Sequence, residues 1–525
     1  MKNYFKIKLA ILGFVLSTVI GCVDLTENPD FINPNTFYKS ATELELGVNA
    51  IYDDLNNGNG EWFNHFYNRY VFECLVGYQV GWEKAPLQYN LGNFSPADDH
   101  VTAYWNQNYR SIDRANSIIE IAATINDPAN KAKIDRLVAE AHFLRAFYYY
   151  ELLIYYDNVP VKTTSTKSLS DLPSNSGGKR AVIDQIYADA KLAADKLPAT
   201  HTGSDKGRAT KWAANTILLK AQLWDEKWVD AKATAENIIN NSGLILFNDF
   251  SHNFDLVHEN QGERIFEGQV SAKVNSNEYN NHSAHFNPED YPSELGGAGW
   301  SWLSGTKDFR TSYNKDDKRI NGTFIEQYQT GRVGKNSKGE FPMVKWSDKA
   351  DYNVSRFGGL VSSTANANKA EELVFGKVWT SKLVELNLTS WTNTEKNTIY
   401  HRLAEVLLGH AEACNESGQG DAYVSLNKVR SRAGLAPLTG LSKDRLRDAI
   451  VDEVVHEFAF EQNIYPELRR KSKFGANPDY LGSYIKRYSD TYKIGRTIKA
   501  KDYVLPIPLI EIQGNPNVKQ NTVWQ

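Results

Sequence analysis

The 525 residues carry 41% hydrophobic and 23% charged side chains, the composition of a folded protein and not of a disordered one. A formal charge of −4 argues against nucleic acid, whose phosphates are normally met by a marked excess of Lys and Arg on one face. Beyond residue 25 no apolar run is long enough to span a bilayer, and the length allows two to four units unless repeats merge into one body.

In chain order, Lys2, Lys6 and Lys8 precede an apolar run, Leu9 to Ile20, of about 12 residues, too short for a spanning helix. Residues 1–21 therefore read as a cleaved secretory signal. Val19-Ile20-Gly21-Cys22 resembles the lipobox of bacterial lipoproteins, which makes Cys22 the expected lipidation site and two or three acyl chains the anchor. Only Cys74 and Cys414 remain, too few for a disulfide framework, and both are expected to be buried.

Ser40-Ala41-Thr42-Glu43 is a capping box opening a helix with Leu44, Val48, Ile51 and Leu55 on one face. A helix over residues 102–124 follows, with Trp105, Tyr109, Ile112, Ala115 and Ile119 inward. Its partner is expected to start at the Asp127-Pro128 cap and to present Leu137, Ala141, Leu144, Tyr148, Leu152 and Tyr155. The pairing recurs as Ala214, Ile217, Ala221 and Trp224 with Trp228, Ala231, Ala235 and Ile238, closed by Gly243. It recurs again as Tyr400, Leu403, Leu407, Ala411 and Cys414 with Ala422, Leu426, Val429 and Ala433. Such hairpins bury their faces only by stacking, so the fold class is mostly α, a tetratricopeptide-like helix-hairpin scaffold. Residues 244–395 lose this period and predict an irregular, loop-rich inserted subdomain with short strands near 263–270 and 373–379. The scaffold is then split into residues 22–243, carrying the first binding loop, and 396–525 with the tail.

Across the whole chain the motifs resemble the SusD/RagB family, surface glycan-binding lipoproteins that work with TonB-dependent transporters. The resemblance rests on Ala50-Ile51-Tyr52-Asp53-Asp54-Leu55, on Ala139-Glu140-Ala141-His142-Phe143-Leu144-Arg145-Ala146-Phe147-Tyr148-Tyr149-Tyr150, and on Asp157-Asn158-Val159-Pro160. Gly207-Arg208-Ala209-Thr210, Arg402-Leu403-Ala404-Glu405, Asn427-Lys428-Val429-Arg430-Ser431-Arg432-Ala433-Gly434 and the tail Leu505-Pro506-Ile507-Pro508 continue it. Glu140, Arg145, Arg208, Glu405, Arg430 and Arg432 read as ion-pair and helix-end partners that lock hairpins together. One departure stands out: Glu461-Gln462-Asn463 and Glu467-Leu468-Arg469-Arg470 replace the family's usual glycine- and arginine-rich run, a change expected to spare the binding subdomain.

The resemblance implies a glycan-binding protein of the outer membrane, lipid-anchored and surface-exposed, that delivers polysaccharide to a SusC-like TonB-dependent transporter and is not an enzyme. No phosphate loop, nucleophile elbow or dinucleotide fingerprint is present, and His456-Glu457 lacks the second histidine of a zinc helix because position 460 is Phe460. Asn281-His282-Ser283-Ala284-His285 with Glu278 and Glu289 lies in a polar stretch, and no metal or cofactor is expected. The residues themselves draw attention to tryptophan: of 12, Trp105, Trp212, Trp224 and Trp228 fall on hairpin helices and read as core. Trp300 and Trp302 follow Gly296-Gly297-Ala298-Gly299, so alternation puts both rings on one side of a loop. Aromatic faces pack against the C–H faces of pyranoses, with desolvation contributing about 25 cal/mol per Å². In the family the ligand site combines the loop after the first helix with the insertion, which here supplies Trp82 and Tyr78 to a platform with Trp300 and Trp302. Asp53, Glu83, Asn90, Asn277 and Asp290 are the expected partners of sugar hydroxyls. Three rings in a concave pocket suit a curved chain, a β-1,3-glucan such as laminarin. The competing readings are a surface glycoside hydrolase and a transporter lid for a non-glycan nutrient such as peptide.

Overall fold

The structure is a computed structural model that describes residues 37–56, 65–81, 84–168, 170–270, 282–288, 291–295, 299–300, 302–331, 334–345, 377–385, 394–491 and 495–525. Ser40 opens helix α1 (Ala41–Asp53): its hydroxyl accepts from the Glu43 N–H at 3.3 Å. The Glu43 carboxylate reaches back to the Lys39 N–H at 2.8 Å, one residue before the position a capping box uses. Leu44, Val48, Ile51 and Leu55 are buried as their spacing requires. Helix α2 (His65–Glu73) is buried along its whole length, and strand β1 (Gln79–Gly81) follows it. Helix α3 (Asp99–Ala122) begins ahead of the expected Thr102 because the Asp98 carboxylate accepts from the His100 and Val101 N–H groups. Helix α4 (Lys131–Tyr156) is entered through a 3-10 turn, Pro128–Asn130. The cap expected at Asp127 does not form, since that carboxylate bonds the Asn130 side-chain amide instead.

From Phe143 to Tyr156 every residue of α4 is buried, the mark of a helix enclosed on all sides. Helix α5 (Gly178–Lys196) packs on α4, helix α6 (Lys211–Trp224) on α5, and helix α7 (Trp228–Asn241) on α6. Trp105, Trp212 and Trp224 lie in the core, whereas Trp228 is half-buried at its margin, where the face of α7 meets solvent. Strand β2 (Arg264–Gly268), helix α8 (His282–Phe286), strand β3 (Leu303–Thr306) and strand β4 (Lys377–Val378) belong to the insertion. Strand β5 (Thr398–Arg402) leads directly into helix α9 (Leu403–Ser417), so Tyr400 sits on a strand and not on the helix its spacing suggested. Helices α10 (Ala422–Arg432), α11 (Lys443–Phe458) and α12 (Ile464–Arg470) complete the stack. The chain is thus mostly helical, with few and short strands. Among the described residues no helix is long and apolar enough to cross a membrane.

The strands join distant segments. β2 pairs antiparallel with β5, and β3 lies between β1 and β4, so the insertion shares one sheet with residues 79–81 and another with residues 398–402. The predicted locking residues make the contacts expected of them. Arg145 forks onto Asp189 at 2.8 and 2.7 Å, Glu140 accepts from Tyr52, Arg136 and Arg208, and Glu405 holds Lys220 at 2.6 Å. Arg430 reaches Glu453 at 3.0 Å and Arg432 reaches Glu263 at 2.8 Å. Cys74 and Cys414 are both buried free thiols.

The departure at residues 461–463 does not spare the insertion. Glu461 accepts from the buried Lys382 at 2.6 Å and from Arg402 at 2.8 Å, and Phe460 packs on Phe309 and Phe324. Phe460 and Gln462 both hold left-handed backbone, at φ 62° and 58°, a conformation costly for side chains with a Cβ. Enclosure of the Phe460 ring between the insertion and α2 compensates that cost: the Tyr70 hydroxyl donates to the Phe460 carbonyl at 3.0 Å.

Candidate aromatic binding site

β1 and β3 run antiparallel with Gln79 opposite Gly305 and Gly81 opposite Leu303. Trp302 directly precedes β3. Three residues earlier, Gly299 lies against the end of α8, where a Cβ would come within 2.2 Å of Asn287 Cβ, so only glycine permits this approach. The Trp300 N–H then donates to the Ala284 carbonyl at 2.7 Å, which pins the ring above α8.

The two indoles stack on one another with centroids 4.7 Å apart and planes 27° apart. Both are half-buried. They lie on the same side, as alternation predicts, but face to face and not side by side as a flat ledge. Trp302 is the inner ring, packed on the core. Beneath the pair, the His285 imidazole presents its edge to Trp302 at 4.8 Å and to Trp300 at 5.3 Å. Tyr67 of α2 closes the stack from below, 4.3 Å from His285 and 6.0 Å from Trp302. Burial drives the His285 pKa down to about 3, so the imidazole is neutral. Neither of its nitrogens has a hydrogen-bond partner among the described residues. His285 therefore belongs to a helix under the rings and not to the polar loop expected from sequence. Sequence reasoning missed it and Tyr67; the aromatic density of residues 65–72 was the available signal.

The other expected contacts divide clearly. Tyr78 is fully buried, its hydroxyl accepting from the Phe460 N–H at 3.2 Å and its ring wedged against Phe309. Burial pushes that phenol well above its ordinary range. Asn90 is also buried: its amide donates to the Cys74 and Gln79 carbonyls at 2.6 and 2.9 Å and accepts from the Gly81 N–H at 3.1 Å. With these groups already bonded and shielded from solvent, Tyr78 and Asn90 support β1 and do not touch a ligand, a correction to their expected role. Asp53 is exposed at the end of α1, beside the corner where Asn56 donates to the Gln269 carbonyl. Trp82, Glu83, Asn277, Asp290 and Cys22 lie outside the described residues. Trp82 follows Gly81, whose register partner Leu303 follows Trp302.

A larger groove of about 1040 Å³ lies elsewhere, between α7 and α10, lined by Ile245, Leu246, Val424 and Tyr423. Its walls mix these side chains with Lys318, Asp421, Lys428 and Arg432 and bring no pair of indoles together. The Trp300–Trp302 pair is the better candidate because it combines a flat apolar face with rigid support.

The chain is thus a stacked-helix scaffold bearing an aromatic surface on an insertion. A model described as the SusD family matches residues 262–524, and one described as starch-binding associating with outer membrane matches residues 28–223. The chain belongs to the SusD family. It is 26% identical to SusD-like protein P2 of Formosa agariphila over 99% of both chains. Its fold matches that of a SusD superfamily protein from Bacteroides vulgatus at a TM-score of 0.70 and 23% identity, covering 93% of this chain and 100% of that one. A laminarin binding SusD-like protein matches at a TM-score of 0.69 and 22% identity, covering 92% and 100%.

Proposed function

We propose that this chain is a cell-surface lipoprotein that binds a glycan on Trp300 and Trp302 without cleaving it and delivers it to a SusC-like TonB-dependent transporter. The carrying observation is the half-exposed indole pair braced by neutral His285. A ring held that rigidly loses little freedom when a pyranose face covers it, so desolvation is retained as affinity. The description of the N-terminal family model, starch-binding associating with outer membrane, supports the location, and Cys22 is the proposed anchor.

The ligand we propose is a β-1,3-glucan such as laminarin, supported by the fold shared with a laminarin binding relative. Titration calorimetry with laminarin tests it: heat is expected from the intact chain, with affinity at least about tenfold weaker in Trp300→Ala, equal to about 1.4 kcal/mol. No heat with laminarin, together with heat from a mannan, xylan or α-glucan, removes the β-1,3-glucan assignment. Release of reducing sugar overturns the non-enzymatic reading.

A further inference from the structure

Away from the tryptophans, the segment that leads into β2 gathers three metal-binding side chains. His252, Asp255 and His258 are spaced three apart, and their ligand atoms all lie within 4.8 Å of one another. Sequence alone gives no hint of convergence at this spacing. The 3-10 turn Phe250–Phe254 carries His252, Asp255 follows it in extended backbone, and the turn beyond brings His258 back beside both. The 3-10 turn is capped by Asp249, which accepts from the Ser251 N–H at 2.9 Å.

The imidazoles of His252 and His258 lie face to face, centroids 4.1 Å apart and planes 14° apart. His258 Nδ1 is 2.7 Å from Asp255 Oδ2, and the His258 N–H donates to Asp255 Oδ1 at 2.9 Å. An outer layer fixes this arrangement. Arg264 Nη2 donates to the carbonyls of both His252 and Asp255, at 3.1 and 2.8 Å. Its Nη1 meets Glu267 at 3.2 Å, which offsets the positive charge beside the cluster. Phe247 sets its ring edgewise against His252 and His258, and Gly262 makes room for it: a Cβ there would come within 2.2 Å of the ring. All three candidate ligands are half-buried, so they remain reachable from solvent.

We infer that His252, Asp255 and His258 form a site for one divalent transition metal ion of the zinc, cobalt, nickel or copper class, with water completing the coordination. Two imidazole nitrogens and one carboxylate oxygen select such ions over calcium or magnesium, which take oxygen donors. Bonds of about 2.0–2.2 Å to each ligand limit two donors on one ion to separations of about 4 Å. Because each nitrogen lone pair lies in its ring plane, the stacked imidazoles reach one ion only after one ring turns out of the stack to aim its nitrogen at the metal, while His258 Nδ1 and Asp255 open by roughly half an ångström. The hydrogen that His258 Nδ1 directs at Asp255 moves to Nε2 of the same ring by tautomerisation, which leaves both the Nδ1 lone pair and the carboxylate free for the ion. Bound there, it ties the 3-10 turn to the start of β2.

The test uses the untagged mature chain stripped with chelator, titrated with zinc chloride by calorimetry and with cobalt chloride by visible absorption. One equivalent of zinc, cobalt bands of a nitrogen–oxygen site and a melting temperature raised by zinc are expected. His252→Ala and His258→Ala should each weaken zinc binding at least about tenfold and abolish the rise in melting temperature, with circular dichroism checking the fold. Absence of stoichiometric zinc binding by the intact chain overturns the inference, as does a His252→Ala/His258→Ala double variant that binds like the parent. Should the variants fail to fold, the stoichiometry and cobalt spectrum of the parent decide. Glycan binding plays no part in these readouts.

Discussion

The tyrosines of α4 and the tryptophans ahead of β3 put the same kind of ring to opposite uses. Tyr148, Tyr149 and Tyr156 are buried, and each hydroxyl donates to a backbone carbonyl, of Ile51, Lys162 and Val101 respectively. Each ring joins helix to neighbour and leaves nothing for a ligand. Trp300 and Trp302 share one face with each other and rest on His285, so their outer surface stays partly in water. The difference lies in what surrounds the ring: an enclosing helix stack converts aromatic area into stability, while a glycine-flanked entry to a strand converts it into a contact surface.

The contrast breaks most visibly at Phe147, which packs on Tyr148, Phe266 and Tyr400 in the scaffold core. Phe147→Ala should cost about 3–5 kcal/mol in urea unfolding. The scaffold's charges come next. Burial raises the Glu405 carboxyl, but Lys220 and His401 outweigh it and bring the pKa down from 4.5 to about 2. Its stabilisation is therefore complete above pH 4.5 and lost as pH falls from there toward 2. Glu405→Gln should remove about 2 kcal/mol at neutral pH and flatten the acid limb of a melting-temperature profile. Trp300→Ala separates the two uses of a ring, changing unfolding free energy by less than about 1 kcal/mol while lowering glycan affinity about tenfold in calorimetry. Tyr78→Phe deprives the Phe460 N–H of its acceptor and should cost about 1 kcal/mol of stability with glycan affinity unchanged. Smallest is Asp53→Asn, expected to stay within about 0.5 kcal/mol on unfolding and to leave laminarin retention in an affinity gel the same.

The helical scaffold was legible because its apolar spacing reflects local geometry: Leu44 to Leu55 and Leu137 to Tyr155 are buried as their period required. Helix α5 went unread although Val182, Ile186, Ala190 and Ala193 are buried at helical spacing, a signal its many charged residues and alanines dilute. Tyr400 misled for the reverse reason, because one aromatic in phase with a helix also fits the strand that feeds it. Within the site, Trp300 and Trp302 were visible through their glycines. Tyr78 and Asn90 belong to the segment that pairs beside them yet are buried, and only the pairing of β1 with β3 reveals which side of the strand is enclosed. His285 could not be read at all, as its role depends on α8 passing beneath a segment that folds back over it.

The pairing of Gly81 with Leu303 has an evolutionary and practical corollary. Stretches more than two hundred positions apart in the gene border one patch of surface, so recombination that exchanges only one of them breeds mismatched halves. A chimera meant to swap ligand preference between relatives has to transplant residues 79–90 and 282–306 together, with the Phe460 turn that both rest upon.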